Sequence, residues 1–179
     1  MKQILMGVVM AASIGASAEA SDLRSLKIAP DAGWTFLADT VMGGVSEGQA
    51  KVITEGETYL RLTGTVSTAN NGGFIQVRQK LSEPPAEERT GVRLVVRGNG
   101  ETYYVHLRSR STRLPWQYYQ APFETSADWT EVQLPFEAFE ASGRLMRGSP
   151  SVDTIKSVGI VAFGKDHEAL VEVREVGFY

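Results

Sequence analysis

From residue 30 onward, apolar side chains recur at every second position, in short runs broken by Gly, Asn and Pro. No other feature of the sequence limits the fold as strongly, because a period of two belongs to strands and not to helices. Leu60, Leu62, Gly64 and Val66 alternate with Tyr59, Arg61, Thr63 and Thr65. Ile75 and Val77 alternate with Phe74, Gln76 and Arg78, and Val92, Leu94 and Val96 with Arg93, Val95 and Arg97. Tyr103, Val105 and Leu107 alternate with Tyr104, His106 and Arg108. Each such run buries one face and leaves the other to solvent. Residues 158–163 and 170–178 are more continuously apolar and are expected at sheet centres. With 18 Gly and 7 Pro as punctuation, the pattern gives nine or ten short strands, an all-β sandwich. Gly98-Asn99-Gly100 reads as a tight hairpin turn and Asn70-Asn71-Gly72-Gly73 as a second turn. Residues 83–89 form a polar connection that can hold one helical turn.

Composition removes whole classes of chemistry. The chain of 179 residues has no Cys, which excludes disulfides, thiolate metal sites, Cys nucleophiles and a lipid anchor on Cys. It has 2 His, too few for a three-His metal site. Its net charge is -3, which argues against nucleic acid as a partner. No cofactor and no metal are expected.

The first 20 residues read as a signal peptide. Lys2 precedes an uncharged, mostly apolar run over residues 4–16, followed by Ala16-Ser17-Ala18 and Ala18-Glu19-Ala20. Both triplets fit small-x-small cleavage, after Ala18 or after Ala20. The apolar run is shorter than the roughly 20 residues that cross a bilayer. The expectation is a periplasmic or secreted protein whose residues 21–179 form a single β-sandwich domain with no transmembrane segment.

Charge is unevenly spread. Residues 61–113 hold 9 Lys/Arg and 4 acids, whereas residues 114–179 hold 5 and 10. Arg78, Arg93, Arg97, His106, Arg108 and Arg110 share the polar parity of their strands, so neighbouring strands would gather them into one cationic face. The alternative is a solvated face paired with the acidic half. Trp116 and Tyr118 beside Arg108 and Arg110 suit a sugar, an aromatic ligand or a protein hot spot, while Tyr119 and Phe123 suit the core. Gly44-Val45-Ser46-Glu47-Gly48 fits G-x-S-x-G, but a nucleophile elbow needs a helix after it and a strand is expected here. Asp166-His167-Glu168 reads as a polar turn, and neither Asp31 nor Asp39 has calcium-loop spacing.

An ordered series of motifs resembles the complex I intermediate-associated protein 30 family. It starts at Trp34 and Asp39-Thr40-Val41-Met42-Gly43-Gly44-Val45-Ser46, then runs through Asn71-Gly72-Gly73-Phe74 and Arg78. It continues with Arg97-Gly98-Asn99-Gly100, Tyr103 and Arg108, then Tyr119-Gln120-Ala121-Pro122-Phe123. It closes with Trp129, Leu134-Pro135-Phe136, Phe139 and Gly143-Arg144, and covers about residues 33–179. The resemblance implies a galactose-binding-like jelly-roll sandwich and a non-catalytic module. Its mitochondrial relatives help to assemble respiratory complex I, which implies a protein partner such as a respiratory membrane complex. A glycan or small anionic ligand is the alternative. On this reading Arg78, Arg97 and Arg108 line one sheet face, with Asp39 or Ser46 near its rim. Trp116, Tyr118, Arg108 and Arg110 are the glycan contacts. Met42, Gly43, Gly44, Asn71, Gly72, Gly73, Phe74, Gly98, Gly100, Trp129, Pro135 and Phe136 are expected to be structural.

Overall fold

The computed structural model describes residues 24–179, so the expected signal peptide lies outside the described residues. Twelve strands build two antiparallel sheets. They are β1 (Arg24–Ser25), β2 (Thr35–Ala38), β3 (Glu47–Ile53), β4 (Tyr59–Val66), β5 (Phe74–Lys80) and β6 (Gly91–Gly98). Then come β7 (Thr102–Ser109), β8 (Tyr119–Glu124), β9 (Thr130–Pro135), β10 (Glu140–Ala141), β11 (Ile155–Phe163) and β12 (His167–Phe178). Sheet I has the order β3-β4-β12-β6-β9, with β1 also on β12; sheet II has the order β10-β8-β7-β11-β5-β2. The two apolar runs, β11 and β12, sit inside their sheets with a neighbour on each side. The connection over residues 83–89 contains turns and no helix.

Alternation places the core. Leu60 and Leu62 of β4, Leu94 of β6 and Val171 of β12 face Ile75 of β5, Tyr103 and Leu107 of β7 and Ile160 of β11 across the sandwich, all buried. Tyr119 and Phe123 join this core, as their parity requires. The opposite parity faces solvent. On sheet II, the register aligns Thr35, Arg78, Gly159, His106 and Gln120 in one row across β2, β5, β11, β7 and β8. A second row aligns Lys80, Ser157 and Arg108.

The turn at residues 98–100 corrects the sequence expectation. It does not join a hairpin, because β6 pairs with β12 and β9 in sheet I while β7 pairs with β11 and β8 in sheet II. The chain changes sheets here. Gly100 has φ +86, and a Cβ on Gly98 would stand 2.7 Å from the Leu170 carbonyl oxygen. The buried Tyr103 hydroxyl ties the corner: it donates to Asn99 Oδ1 at 2.7 Å and accepts from the Leu170 N–H at 2.8 Å. Period-two alternation is the same for a hairpin and for a crossover, so the local sequence alone does not separate them.

Two bulges redirect side chains. The register of β11 shifts between Ile155 and Ser157, and that of β12 between Val173 and Glu175. The extra residues are Lys156 and Arg174. A bulge twists its strand and re-aims the inserted side chain.

Candidate functional site

The glycine-rich segments close on Asp39, at the end of β2. Its carboxylate, fully buried, accepts from the Ser46 N–H at 2.9 Å and the Ser46 hydroxyl at 2.6 Å. It also accepts from the N–H groups of Gly73 at 2.5 Å and Phe74 at 3.3 Å. A Cβ on Gly44 would lie 2.3 Å from the Asp39 carboxyl carbon, and one on Gly72 would lie 2.3 Å from its Oδ2. Gly43 and Gly73 have φ +90 and +125, open to glycine alone without strain. Burial raises the Asp39 pKa, but the hydrogen bonds from Ser46, Gly73 and Phe74 outweigh it and leave the pKa below the ordinary carboxylate value. Neither Asp39 nor Ser46 reaches a surface, which corrects their placement among the partner contacts. The Ser46 hydroxyl is committed to Asp39, so the G-x-S-x-G match is a structural latch. Met42, beside it, is exposed and not part of the core.

The arginines divide between the two outer faces, against the expectation of a single patch. Arg97 projects from sheet I and pairs with Glu172, which also takes Arg61 at 2.6 Å. The guanidinium groups of Arg97 and Arg174 lie over the Trp129 ring, at 4.5 and 5.0 Å, with Tyr59 edge-on at 5.8 Å. Arg93 bridges Glu131 at 2.8 Å and Glu175 at 2.7 Å. The arginines on the outer face of sheet I are therefore neutralised by neighbouring acids.

Sheet II differs. Arg78, Lys80, Leu81, Arg108, Lys156 and Ser157 line a depression of about 490 Å³. Among the described residues, none of these four cations has an ion pair. Arg108 Nη2 donates to the carbonyls of Leu114 at 2.8 Å and Thr112 at 3.3 Å, and Lys156 Nζ reaches Thr112 O at 3.3 Å. Arg108 Nε is buried without a partner. Burial lowers the Arg108 pKa and the Arg78 charge lowers it further; Lys156 is lowered by burial, then by Arg108 and Arg78. Arg78, Arg108 and Lys156 thus press on one another in a hollow that, among the described residues, has no counter-charge. An anion placed there would relieve that repulsion.

An aromatic row borders the hollow. The rings of Tyr118 and His106 stack at 4.0 Å with an interplanar angle of 10°. Phe163 packs edge-on to His106 at 6.0 Å and to Tyr104 at 5.9 Å. Burial, opposed in part by Gln120, pushes His106 down to about 3, so the ring is neutral at physiological pH. Of the sequence-derived site residues, Arg78, Arg108 and Tyr118 meet on this face. Arg110 and Trp116 stand exposed on the β7–β8 loop at its end. His106 was expected on the cationic face but as a charged group, whereas Lys80 and Lys156 were absent from the sequence-derived site. Lys80 shares the parity of Arg78 and could have been found; Lys156 depends on a bulge that the alternation does not announce.

No curated protein matches this chain. Solved structures match its fold. The family 11 carbohydrate-binding module from Clostridium thermocellum, in complex with a β-1,3-1,4-mixed-linked tetrasaccharide, has a TM-score of 0.69 at 12% identity, over 87% of this chain and 94% of that one. A family 30 carbohydrate-binding module has a TM-score of 0.52 at 12% identity, over 82% and 91%. An exo-β-agarase has a TM-score of 0.56 at 8% identity, over 86% of this chain and 24% of that one. At such identities the likeness shows the fold alone, that of the carbohydrate-binding jelly-roll sandwiches. The family model for complex I intermediate-associated protein 30 matches residues 22–171. The Asp39 latch, the Tyr103 corner and the run of motifs through Phe139 all fall within that span, and the chain belongs to the complex I intermediate-associated protein 30 family.

Proposed function

We propose that the chain is an exported, non-catalytic binding module that takes an acidic ligand on the outer face of sheet II. One observation carries this reading: four cations without a counter-ion surround a hollow on one face, while the other face neutralises its own arginines. Arg78 and Lys80, which no side-chain hydrogen bond engages among the described residues, supply the charge for a carboxylate, sulfate or phosphate. Arg108 and Lys156 add charge from positions fixed by the loop carbonyls. Tyr118, stacked on His106, offers an aromatic surface on which a sugar ring can lie. The fold shared with carbohydrate-binding modules supports an acidic glycan as the ligand; family membership supports an acidic surface on a membrane complex as the second reading. The signal-like N-terminus supports an encounter outside the cytoplasm on either reading.

The double variant Lys80→Glu/Lys156→Glu separates this face from the rest. Titrated with an oligogalacturonate, the native protein should gain thermal stability, by about 3 kcal/mol at a hundredfold excess over Kd. The double variant should gain none, and Lys51→Glu on sheet I should respond as the native protein does. An equal response from all three would place the ligand elsewhere.

A further inference from the structure

We propose that the loops over residues 110–118 and 142–154 form one tip that docks the protein on an anionic lipid surface. This tip stands at the end of sheet II, and its exposed groups, Trp116, Leu145 and the loop arginines, do not line the hollow. The two loops share a composition: Arg113-Leu114-Pro115-Trp116 in one and Arg144-Leu145-Met146-Arg147 in the other. They are fastened together. Ser142 Oγ donates to the Trp116 carbonyl at 2.8 Å and accepts from the Tyr118 N–H at 3.0 Å, and the Ser142 N–H donates to the Tyr118 carbonyl at 2.9 Å. The Arg110 N–H reaches the Thr154 carbonyl at 2.9 Å. Arg108 and Lys156 brace the first loop from below through Thr112 and Leu114.

The braced tip exposes what a folded chain ordinarily hides. Leu145 is 100% exposed, Trp116 60% and Leu114 43%. Arg110, Arg113, Arg144 and Arg147 stand in the same two loops, all exposed and without ion pairs among the described residues. The two loops together hold four arginines against one acid, Asp153. The opposite end of the sandwich carries the acids Glu101, Glu124, Asp128, Asp166 and Glu168 beside Lys165, which pairs with Glu101. A negative surface would therefore turn this end, and not the other, toward itself. Leucine and tryptophan side chains in a basic collar match the boundary of a bilayer: the apolar groups enter the interface, and arginine stems stay beside them while their heads meet lipid phosphates. No helix among the described residues is long and apolar enough to cross a membrane, so this contact would be peripheral.

The test uses residues 21–179, which contain both sheets and omit the apolar N-terminal run that would itself partition into lipid. Flotation is compared for phosphatidylcholine vesicles and for vesicles in which about a third of the lipid is phosphatidylglycerol. Binding is expected to the anionic vesicles only and should weaken as salt rises. It should blue-shift the tryptophan emission of the native protein and not that of Trp116→Ser. Arg144→Glu/Arg147→Glu and Leu145→Asp should each weaken binding by about tenfold or more, while Lys51→Glu should not. Leu145 touches nothing in the fold, so its variant should keep the native urea midpoint. Equal flotation on neutral vesicles, flotation on neither, or native binding by Leu145→Asp would overturn the proposal. So would capture by an acidic protein surface with no lipid binding.

Discussion

Asp39 ties its own segment to two others, at Ser46 and at Gly73–Phe74, through one buried carboxylate, so its removal leaves several donors without an acceptor. Asp39→Ala should destabilise the fold by about 3 kcal/mol, read as a fall in urea midpoint. A loss below about 0.5 kcal/mol would contradict its role as the latch. Its pKa is lower folded than unfolded, so the unfolded chain binds the proton more readily. The stabilisation is complete above the ordinary carboxylate value of 3.8 and is lost as pH falls through the lower folded value. His106 acts over a different window. Its pKa falls from 6.5 to about 3 on folding, so the neutral ring suits the fold and the unfolded chain captures a proton first. Stability should fall by about 1.4 kcal/mol per pH unit between those values as the solution is acidified. His106→Gln should flatten that slope while leaving the acid limb due to Asp39; an unchanged slope would show that His106 titrates normally.

At the scale of elements, the sheet-changing corner between β6 and β7 depends on one hydroxyl. Tyr103→Phe keeps the buried ring but removes the bonds to Asn99 and Leu170, and should cost about 1–2 kcal/mol. Hydrogen exchange at the Leu170 amide should accelerate with it; unchanged exchange would assign the corner to Gly98 and Gly100 alone. The strands, their buried faces and the central places of β11 and β12 were legible because alternation is a local signal that burial on one face enforces. Pairing was not. Val92 to Arg97 and Tyr103 to Arg108 carry the same pattern whether their strands are neighbours or lie in opposed sheets. Arg97 was therefore assigned to the face of Arg78 and Arg108, though it lies on the other side of the sandwich. The Asp39 latch was half legible: its glycines marked a constrained place, but only the geometry shows what each of them approaches.

For the whole molecule, the net charge of -3 hides a strong asymmetry. Sheet I spends its arginines on Glu131, Glu172 and Glu175, and sheet II leaves Arg78, Lys80, Arg108 and Lys156 facing solvent. The uneven sequence charge was the signal for this, but the fold decides which cations find partners. The most direct test is an NMR titration with an oligogalacturonate, following the backbone amides. The account predicts shifts confined to the outward-facing positions of β5, β7 and β11 and to Tyr118, abolished by Lys80→Glu/Lys156→Glu. Shifts centred on Arg61, Arg97 and Trp129 of sheet I, or shifts that survive the double variant, would contradict it.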